Sequence, residues 1–345
     1  MVCGPVQQPH TVALHGLQMG AARHHAHLLA GRRQPRREVP ADRAAAEDAK
    51  SHAGYDLTMK LCRFDDDRLG VVREDGVHDV TGVLSRLPAL AYPMPRHDPL
   101  IASLKTLRPA IETAARQSKA VPIASVKLLA PVANPGKIIA APVNYKKHLQ
   151  EALADKGIHH GNLVAEIHKA GMFLKATSSV VGAGEGVQLI HLDRRNDHEV
   201  ELAVVIGTRV RNIQPAEAPA AIAGYCIGLD MTIRGPEERS FRKSPDSYCV
   251  LGPWLATADE VPDPGALSIS ISVNGETRQD AHTSDLIVGV PELVAWASTF
   301  YTLHPGDVLL TGTPQGVGPV RPGDVMEAKL ERVGSMRVAV SAASK

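Results

Sequence analysis

Two carboxylates on one face of a predicted strand are the first residues in this sequence whose spacing indicates chemistry. Glu199 and Glu201 lie in the apolar run Glu199–Ile206, and side chains two positions apart on a strand point to the same face. Burying both without a counter-charge costs several kcal/mol. Their hard oxygen atoms suit Mg²⁺, Mn²⁺ or Ca²⁺. The pair therefore predicts a metal site, and the alternative is an exposed strand edge with solvated glutamates.

A third carboxylate closes another apolar run. Ala223–Thr232 reads as a strand on which Gly224, Cys226, Gly228 and Asp230 share a face. The small residues on that face leave room beside the backbone. Asp230 is therefore either a third metal ligand or a cap of the turn that follows, the common place for Asp at a strand end.

Four basic residues follow this strand: Arg234, Arg239, Arg242 and Lys243. Fixed cations beside a carboxylate-bound metal would form a receptor for an anionic, chelating substrate. The alternative is a solvated run of charges.

A possible general base lies earlier in the chain. His148 and Glu151 are three positions apart in a predicted helix, so their side chains can touch. A carboxylate that accepts a proton from one ring nitrogen orients the other as a base. An ordinary exposed helix pair is the alternative. The glycine-rich segment Thr311–Gly318 lacks the Gly-Lys-Ser/Thr ending of a phosphate loop, which indicates a tight turn.

The composition excludes several functional classes. The chain has 345 residues, 44% of them hydrophobic, with 38 Lys and Arg against 37 Asp and Glu. This balance gives no global field that would attract nucleic acid or anionic lipid, and no apolar run approaches the roughly 20 residues of a membrane span. The four cysteines form no Cys-x-x-Cys pair, which favours a reducing, cytoplasmic location.

Three segments are predicted. Residues 1–58 are rich in His and Arg, have no acidic residue before Glu38 and show no structural period. They are interpreted as a disordered extension, with a basic transit peptide as the alternative. Residues 59–131 are predicted to form a small α/β module, and residues 132–343 a strand-rich catalytic domain.

The local patterns give the expected elements, which combine period-2 strands with turn residues and period-3.6 helices. Asn274-Gly275 predicts a hairpin turn, and Pro305-Gly306 and Pro322-Gly323 predict type II turns. The predicted strands and helices are Met59–Phe64, Leu69–Arg73, Val77–Val80, Leu100–Gln117 (helix), Lys137–Ala141, His148–Asp155 (helix), Glu199–Ile206, Ala223–Thr232, Leu267–Val273, Asp307–Leu310 and Asp324–Leu330.

In combination, these segments resemble the fumarylacetoacetate hydrolase family from about Lys137 to the last strand. Each block alone is a weak signal, but the presence of all of them in the order found in the family is a specific one. The blocks are Asn144-Tyr145 with His148 and Glu151, Phe173-Leu174-Lys175, Glu199-Val200-Glu201-Leu202, Leu229-Asp230-Met231-Thr232 with Arg234, Arg242-Lys243-Ser244, Leu251-Gly252-Pro253-Trp254, Val273-Asn274-Gly275-Glu276 with Arg278-Gln279, and Pro305-Gly306-Asp307 leading to Thr311-Gly312-Thr313-Pro314.

The resemblance implies an α+β fold, with a mixed β-sandwich roll as the catalytic domain, assembled as a homodimer. It implies Mg²⁺, or Mn²⁺ or Ca²⁺, held by Glu199, Glu201 and Asp230. It further implies site roles for other residues: water activation by His148 with Glu151, charge stabilisation by Lys243 and Arg234, and substrate contacts from Tyr145, Lys175 and Thr313.

Two departures from the family pattern are visible. Many members carry Arg-Asp-x-Gln after the aspartate strand, whereas this chain has Arg234-Gly235-Pro236-Glu237. The usual amide donor to an oxyanion is thus replaced by the carboxylate of Glu237, which is considered as a substrate-site acid or base. The segment Ala152–Gly171 is long and is considered as a lid.

The expected activity is metal-dependent hydrolysis of a C–C bond in a small 2-oxo or 1,3-diketo acid, of the fumarylacetoacetate or acylpyruvate type, in aromatic catabolism. An isomerase, decarboxylase or hydratase acting on a 2-oxo acid such as oxaloacetate is the nearest alternative. A non-catalytic metal-stabilised binding protein is the alternative of another class.

Overall fold

The structure is a computed structural model that describes residues 59–162 and 164–344. The predictions for residues 1–58, both the disordered extension and the transit peptide, lie outside these residues. No helix in the described ranges is long and apolar enough to cross a membrane. Three cysteines there, Cys62, Cys226 and Cys249, are buried and carry free thiols.

Strands outnumber helices among the described residues, in agreement with the predicted mostly β, α+β fold. The strands are β1 Lys60–Phe64, β2 Arg68–Arg73, β3 Gly76–Asp79, β4 Ala120–Val121, β5 Leu128–Leu129, β6 Ile138–Ala140, β7 Phe173–Lys175, β8 Val180–Gly182, β9 Val187–Leu189, β10 Asn196–His198, β11 Val200–Ile206, β12 Ile222–Asp230, β13 Thr232–Ile233, β14 Cys249–Thr257, β15 Ser268–Val273, β16 Glu276–His282, β17 Val308–Leu310, β18 Gly318–Pro319, β19 Val325–Leu330 and β20 Gly334–Ala342. The α-helices are α1 Pro99–Gln117, α2 Lys146–Ala154, α3 Lys156–His159, α4 Ile167–Ala170, α5 Ala218–Ala221, α6 Arg239–Arg242 and α7 Val290–Phe300.

Three sheets organise these strands. A twelve-stranded mixed sheet has the order β4-β3-β2-β1-β14-β12-β11-β17-β6-β7, with β5 beside β1 and β8 beside β14. A five-stranded sheet has the order β16-β15-β19-β20-β9, and a three-stranded sheet the order β13-β10-β18. The mixed β-fold predicted for the catalytic domain is confirmed.

The predicted module of residues 59–131 does not form a sheet of its own. Strand β1 pairs antiparallel with β14, where Lys60 faces Ala256 and Leu61 faces Leu255. The module therefore extends the large sheet of the following domain. Sequence periodicity identifies strands but not their partners, so this continuity was not predictable from the pattern.

The large sheet has an apolar layer on each face. Alternate residues of β11, such as Leu202 and Val204, share one core cluster with residues of β15, β19 and β20. The intervening Ala203 and Val205 share the opposite cluster with Ile111 and other residues of α1. Strand β11 is consequently buried along its whole length, and Glu199 directly before it is buried as well, which excludes the exposed-edge alternative for the two carboxylates.

The predicted turns are present. Asn274 and Gly275 join β15 to β16 with φ values of 52° and 83°, the sign that a two-residue type I′ turn requires at both positions. Gly306 has a φ of 88°, and a Cβ there would lie 2.5 Å from the Cβ of Asp98. A side chain at position 306 is therefore excluded by conformation and by space.

A chain that begins at Met59 is expected to fold with an unchanged melting temperature. The backbone N–H of Met59 donates to Thr257 Oγ1 at 3.1 Å, and its carbonyl accepts from the N–H of Thr257 at 2.9 Å. These bonds anchor the first strand from within the described residues. Calorimetry on the truncated and full chains tests this, and a large loss of stability in the truncated chain would contradict it.

Candidate active site

The carboxylate cluster lies where β11 and β12 run side by side. Glu201 faces Gly228 across the strand pair, and Val200 faces Leu229. Because Gly228 and Asp230 are two positions apart on β12, the carboxylates of Glu201 and Asp230 lie on the same face of the sheet. Ligand atoms of Glu199, Glu201 and Asp230 all lie within 4.8 Å of one another. The register therefore brings the three predicted metal ligands together.

The cluster is buried, and its charges depend on each other. Burial raises the pKa of Glu201 well above its ordinary value, and the negative charge of Asp230 raises it further. Burial acts in the same direction on Glu199, but Lys243 and Arg234 outweigh it and hold the pKa of Glu199 below its ordinary value. The charge of Lys243 lowers the pKa of Glu201 but does not offset these two causes.

Two lysines surround Asp230. Lys243 Nζ bridges Glu199 Oε2 at 2.6 Å and Asp230 Oδ2 at 2.7 Å. Lys175 Nζ donates to Asp230 Oδ1 at 2.5 Å, to the carbonyl of Tyr248 at 3.1 Å and to the carbonyl of Lys243. An ammonium has three protons, so Lys175 has none left for a substrate. Lys175 therefore serves as a counter-charge to Asp230 and not as the predicted substrate contact.

A buried ion pair that sequence reasoning did not single out fixes Arg234. Its Nε donates to Asp197 Oδ2 at 2.8 Å and its Nη2 to Glu199 Oε1 at 2.7 Å. Asp197 also accepts from Arg195 Nε at 2.7 Å. Asp197 lies two residues before Glu199, so period-2 spacing was the signal that would have identified it.

The predicted His–Glu contact is present on α2. His148 Nδ1 lies 2.9 Å from Glu151 Oε2, and Glu151 Oε1 accepts from the N–H of Gly316 at 2.9 Å. Because a carboxylate only accepts, the proton of the neutral ring lies on Nδ1 and leaves Nε2 as the basic atom. His148 is buried and borders the same cavity as Glu199.

The loop after β17 supports the cluster. The N–H of Gly312 donates to Glu201 Oε2 at 2.6 Å. Gly312 has a φ of 99°, and a Cβ there would lie 2.7 Å from the Cβ of Asn144. Thr313 Oγ1 donates to the carbonyl of Val200 at 2.9 Å. The hydroxyl proton that was predicted to contact the substrate is therefore used in a hydrogen bond within the protein.

Gln279 joins this loop to β11 from the second sheet. Its Oε1 accepts from the N–H of Val200 at 3.1 Å and contacts His198 Nδ1 at 3.0 Å. Its Nε2 donates at 2.8 Å both to Thr313 Oγ1 and to the carbonyl of Pro314. Sequence spacing gave no indication of this role, because β16 and β11 pair with different strands.

Replacing Gln279 with leucine is expected to lower the free energy of unfolding by about 2–4 kcal/mol, since each polar group left buried without a partner costs about 1–3 kcal/mol. Turnover should fall as well, because the peptide between the two glutamates loses its anchor. Chemical denaturation and kinetics measure both effects. Gln188→Leu is the matched control, since Gln188 is exposed. An unchanged stability in Gln279→Leu would show that the network contributes nothing.

Two further residues predicted at the substrate site, Tyr145 and Glu237, have different surroundings. The hydroxyl of Tyr145 is buried without a hydrogen-bond partner in the described residues; burial and the charge of Glu201 raise its pKa. Glu237 does not line the cavity that Glu199 borders, and it accepts from both terminal nitrogens of Arg194, at 3.0 and 2.8 Å. This hydrogen bonding lowers the pKa of Glu237, so it remains an ionised partner of Arg194.

A small cavity of about 60 Å³ is bordered by His148 and Glu199. Five of its lining residues, Ala152, Ile158, His159, Asn162 and Val164, belong to the predicted lid segment. The other lining residues are Pro142, Val143, His148, Glu199, Arg234, Arg239, Arg242 and Lys243.

The residues present fit a divalent cation. The donor set is three carboxylates, the hard oxygen ligands that Mg²⁺, Mn²⁺ and Ca²⁺ prefer. Glu199 and Asp230 are paired with lysine and arginine side chains, whereas Glu201 accepts from the backbone N–H of Gly312. A cation between the three groups would supply positive charge beside Glu201.

Comparison with known proteins agrees with this geometry. The family described as fumarylacetoacetate (FAA) hydrolase C-terminal matches residues 137–341. Maleylpyruvate hydrolase of Aquipseudomonas alcaligenes is 61% identical over 284 residues, which is 82% of this chain and 99% of the relative. Oxaloacetate tautomerase Fahd2a, mitochondrial, of Rattus norvegicus is 36% identical over 232 residues, 64% of this chain and 71% of the relative.

A solved structure also matches this chain. The crystal structure of maleylpyruvate hydrolase from Sphingobium sp. SYK-6 in complex with manganese (II) ion and pyruvate matches with a TM-score of 0.71 and 40% identity, covering 83% of this chain and 100% of that one. The chain therefore belongs to the fumarylacetoacetate hydrolase family, which confirms the resemblance in its motifs and its assignment as a metal-dependent hydrolase.

Proposed function

We propose that this enzyme hydrolyses the C–C bond of an acylpyruvate, giving a carboxylic acid and pyruvate. The observation that carries the proposal is the shared cavity, where His148, which Glu151 holds at 2.9 Å, and the cations Arg234 and Lys243 line the same space as Glu199. A base, fixed positive charge and a carboxylate of the metal cluster thus border one space. The similarity to maleylpyruvate hydrolases supports this substrate class.

The residues divide the chemistry between them. His148 Nε2 removes a proton from water, and Glu151 stabilises the resulting imidazolium. The hydroxide attacks the acyl carbonyl, the C–C bond breaks, and its electron pair becomes the enolate of pyruvate, which is then protonated on carbon. Lys243 offsets the negative charge that develops. A divalent cation held by Glu199, Glu201 and Asp230 would supply Lewis-acid stabilisation of charge on substrate oxygens.

The finer assignments belong to the same proposal. Mg²⁺ is the proposed ion, with Mn²⁺ and Ca²⁺ as alternatives for an all-oxygen donor set. The cytoplasm is the proposed location, supported by the three free thiols in the described residues. A homodimer is proposed from the family resemblance, and light scattering tests it. We further propose that the segment Ala152–Gly171 opens to admit substrate, because the cavity of about 60 Å³ is smaller than an acylpyruvate.

The nearest competing function is tautomerisation or decarboxylation of oxaloacetate, favoured by the similarity to the tautomerase of Rattus norvegicus. Glu237 was the residue considered for the extra proton transfer. Its pairing with Arg194 removes the motive for that role.

The proposal is tested with chelated enzyme reloaded with Mg²⁺, Mn²⁺ or Ca²⁺. Acetylpyruvate, a dicarboxylic acylpyruvate and oxaloacetate are the substrates. We expect no cleavage after EDTA treatment and metal-restored release of pyruvate from the acylpyruvates. Turnover of oxaloacetate alone would contradict the proposal.

A further inference from the structure

A second histidine, His159, lines the cavity and is held in the tautomer opposite to that of His148. The backbone N–H of Gly161 donates to His159 Nδ1 at 3.0 Å. Because a backbone N–H only donates, Nδ1 carries the lone pair and the proton of the neutral ring lies on Nε2. The ring forms no other hydrogen bond with the described residues. His159 Nε2–H is therefore an available donor at the cavity.

The helix α3 holds His159 in place at both of its ends. Asp155, the N-cap of this helix, accepts from Arg195 Nη1 at 2.9 Å, and Arg195 Nε donates to Asp197 Oδ1 at 2.7 Å. Asp197 belongs to the buried ion pair beside the carboxylate cluster. At the other end, Gly161 has a φ of 80°, which turns its N–H back towards the imidazole.

The packing of α3 on α2 places His159 beside the helix that carries the base. Ala152 lies one turn after His148 in α2, so the two side chains share a face. Ala152 packs with Ile158, the residue directly before His159, in a small apolar cluster that includes Val317. The two imidazoles thus border one cavity from neighbouring helices, His148 with a lone pair and His159 with an N–H at Nε2.

The proposed reaction needs a hydrogen-bond donor at the acyl oxygen, which becomes an oxyanion when hydroxide attacks. The position where many family members have an amide holds Glu237, which pairs with Arg194 and does not line the cavity. The side-chain amide of Asn162 donates to a backbone carbonyl at 3.2 Å. Arg234 and Lys243 are each bound to two carboxylates.

We propose that His159 donates a hydrogen bond from Nε2 to the acyl oxygen of the substrate and stabilises the oxyanion formed by the attack. This role rests on the proposed hydrolase function, to which it adds a residue in contact with the reacting atoms. His159 keeps its proton throughout, and the negative charge of the hydroxide passes to the acyl oxygen. Because His159 belongs to the segment Ala152–Gly171, the donor is in place only when this segment covers the substrate.

The kinetic test removes the donor and then restores it. His159→Phe keeps a flat ring without an N–H, and kcat for acetylpyruvate should fall by about 10²–10³-fold, the usual effect of losing one oxyanion donor. KM should stay within about threefold, because the hydrogen bond strengthens only in the transition state. His159→Gln keeps an N–H near the position of Nε2 and should recover at least about 10-fold of the loss. His160→Asn is the matched control, since His160 is exposed and asparagine tolerates its φ of 47°.

A binding test does not depend on turnover. Calorimetry on the Mn²⁺-loaded enzyme compares oxalate, which resembles the enolate of pyruvate, with a phosphinate analogue of acetylpyruvate. In this analogue a tetrahedral, anionic phosphinate replaces the acyl carbonyl. In His159→Phe, the Kd for the phosphinate should rise by about 10-fold or more, while the Kd for oxalate stays within about twofold.

Three other results would overturn the role of His159 and leave the hydrolase function intact. An unchanged kcat and an unchanged Kd for the phosphinate would assign the oxyanion to the arginines of α6. Equal losses in His159→Phe and His159→Gln would show that the ring does not act through its N–H. An equal rise in both Kd values would show that His159 contacts the pyruvyl head. If wild-type enzyme cleaved no acylpyruvate, the proposed function would fail, and the phosphinate titration would still decide whether His159 binds an oxyanion.

Discussion

Replacing Glu201 with glutamine is expected to abolish both divalent-metal binding and turnover. The substitution keeps the shape of the side chain and an oxygen that can accept from the N–H of Gly312. It removes only the charge that a cation requires. We expect metal affinity to fall by more than about 100-fold, since loss of an outer-shell partner already costs about 10–100-fold. We expect turnover to fall by about 10³-fold or more, about 4 kcal/mol.

Glu201 is a cleaner test than Glu199. Glu199 is paired with Arg234 and Lys243, so Glu199→Ala also removes one of the two carboxylate partners of each of these buried cations, although it too should lose metal and activity. Metal content by elemental analysis and affinity by calorimetry are the measurements. Glu276→Gln is the control, because Glu276 is exposed. Full metal content and full rate in Glu201→Gln would show that the site lies elsewhere.

The second large effect is expected at the catalytic dyad formed by His148 and Glu151. His148→Ala should lower turnover by about 10²-fold or more, the usual size of a lost general base. Metal affinity should stay nearly intact, because His148 is not among the three carboxylates of the cluster. Lys147→Ala on the same helix is the control, since Lys147 is exposed.

The dyad predicts a further relation between variants. Glu151→Gln should also lose about 10²-fold, and the double variant should lose little more than either single one, because residues that act as one unit fail together. A purely structural role predicts lower stability with an unchanged rate per folded molecule. Wild-type hydrolysis by His148→Ala, with folding checked by circular dichroism, would end the hydrolytic mechanism.

Local patterns predicted the ligands and the dyad because both depend on short spacings. Period 2 placed Glu199 and Glu201 on one face, and helical spacing placed His148 beside Glu151. The sequence alone did not determine that Glu201 lies opposite Gly228, because register is a long-range property. For Asp230, spacing left metal ligation and turn capping as alternatives, and the family resemblance indicated metal ligation.

The residues that spacing could not find are those held by tertiary contacts. Gln279 reaches the site from another sheet, and Lys175 was expected at the substrate but lies behind Asp230. Strand β14 lies in the middle of the large sheet, but the sequence patterns did not predict it. It contains Gly252 and Pro253, residues that locally argue against a central strand.

Cleavage in water enriched in ¹⁸O tests the central claim most directly. Metal-loaded enzyme is supplied with acetylpyruvate, and both products are analysed by mass spectrometry. The account predicts equal amounts of acetate and pyruvate, with one ¹⁸O atom entering the carboxylate of acetate per turnover and none entering the carboxylate of pyruvate. Metal-dependent turnover of oxaloacetate without cleavage of any acylpyruvate would contradict it, because the base at His148 would then serve proton transfer alone.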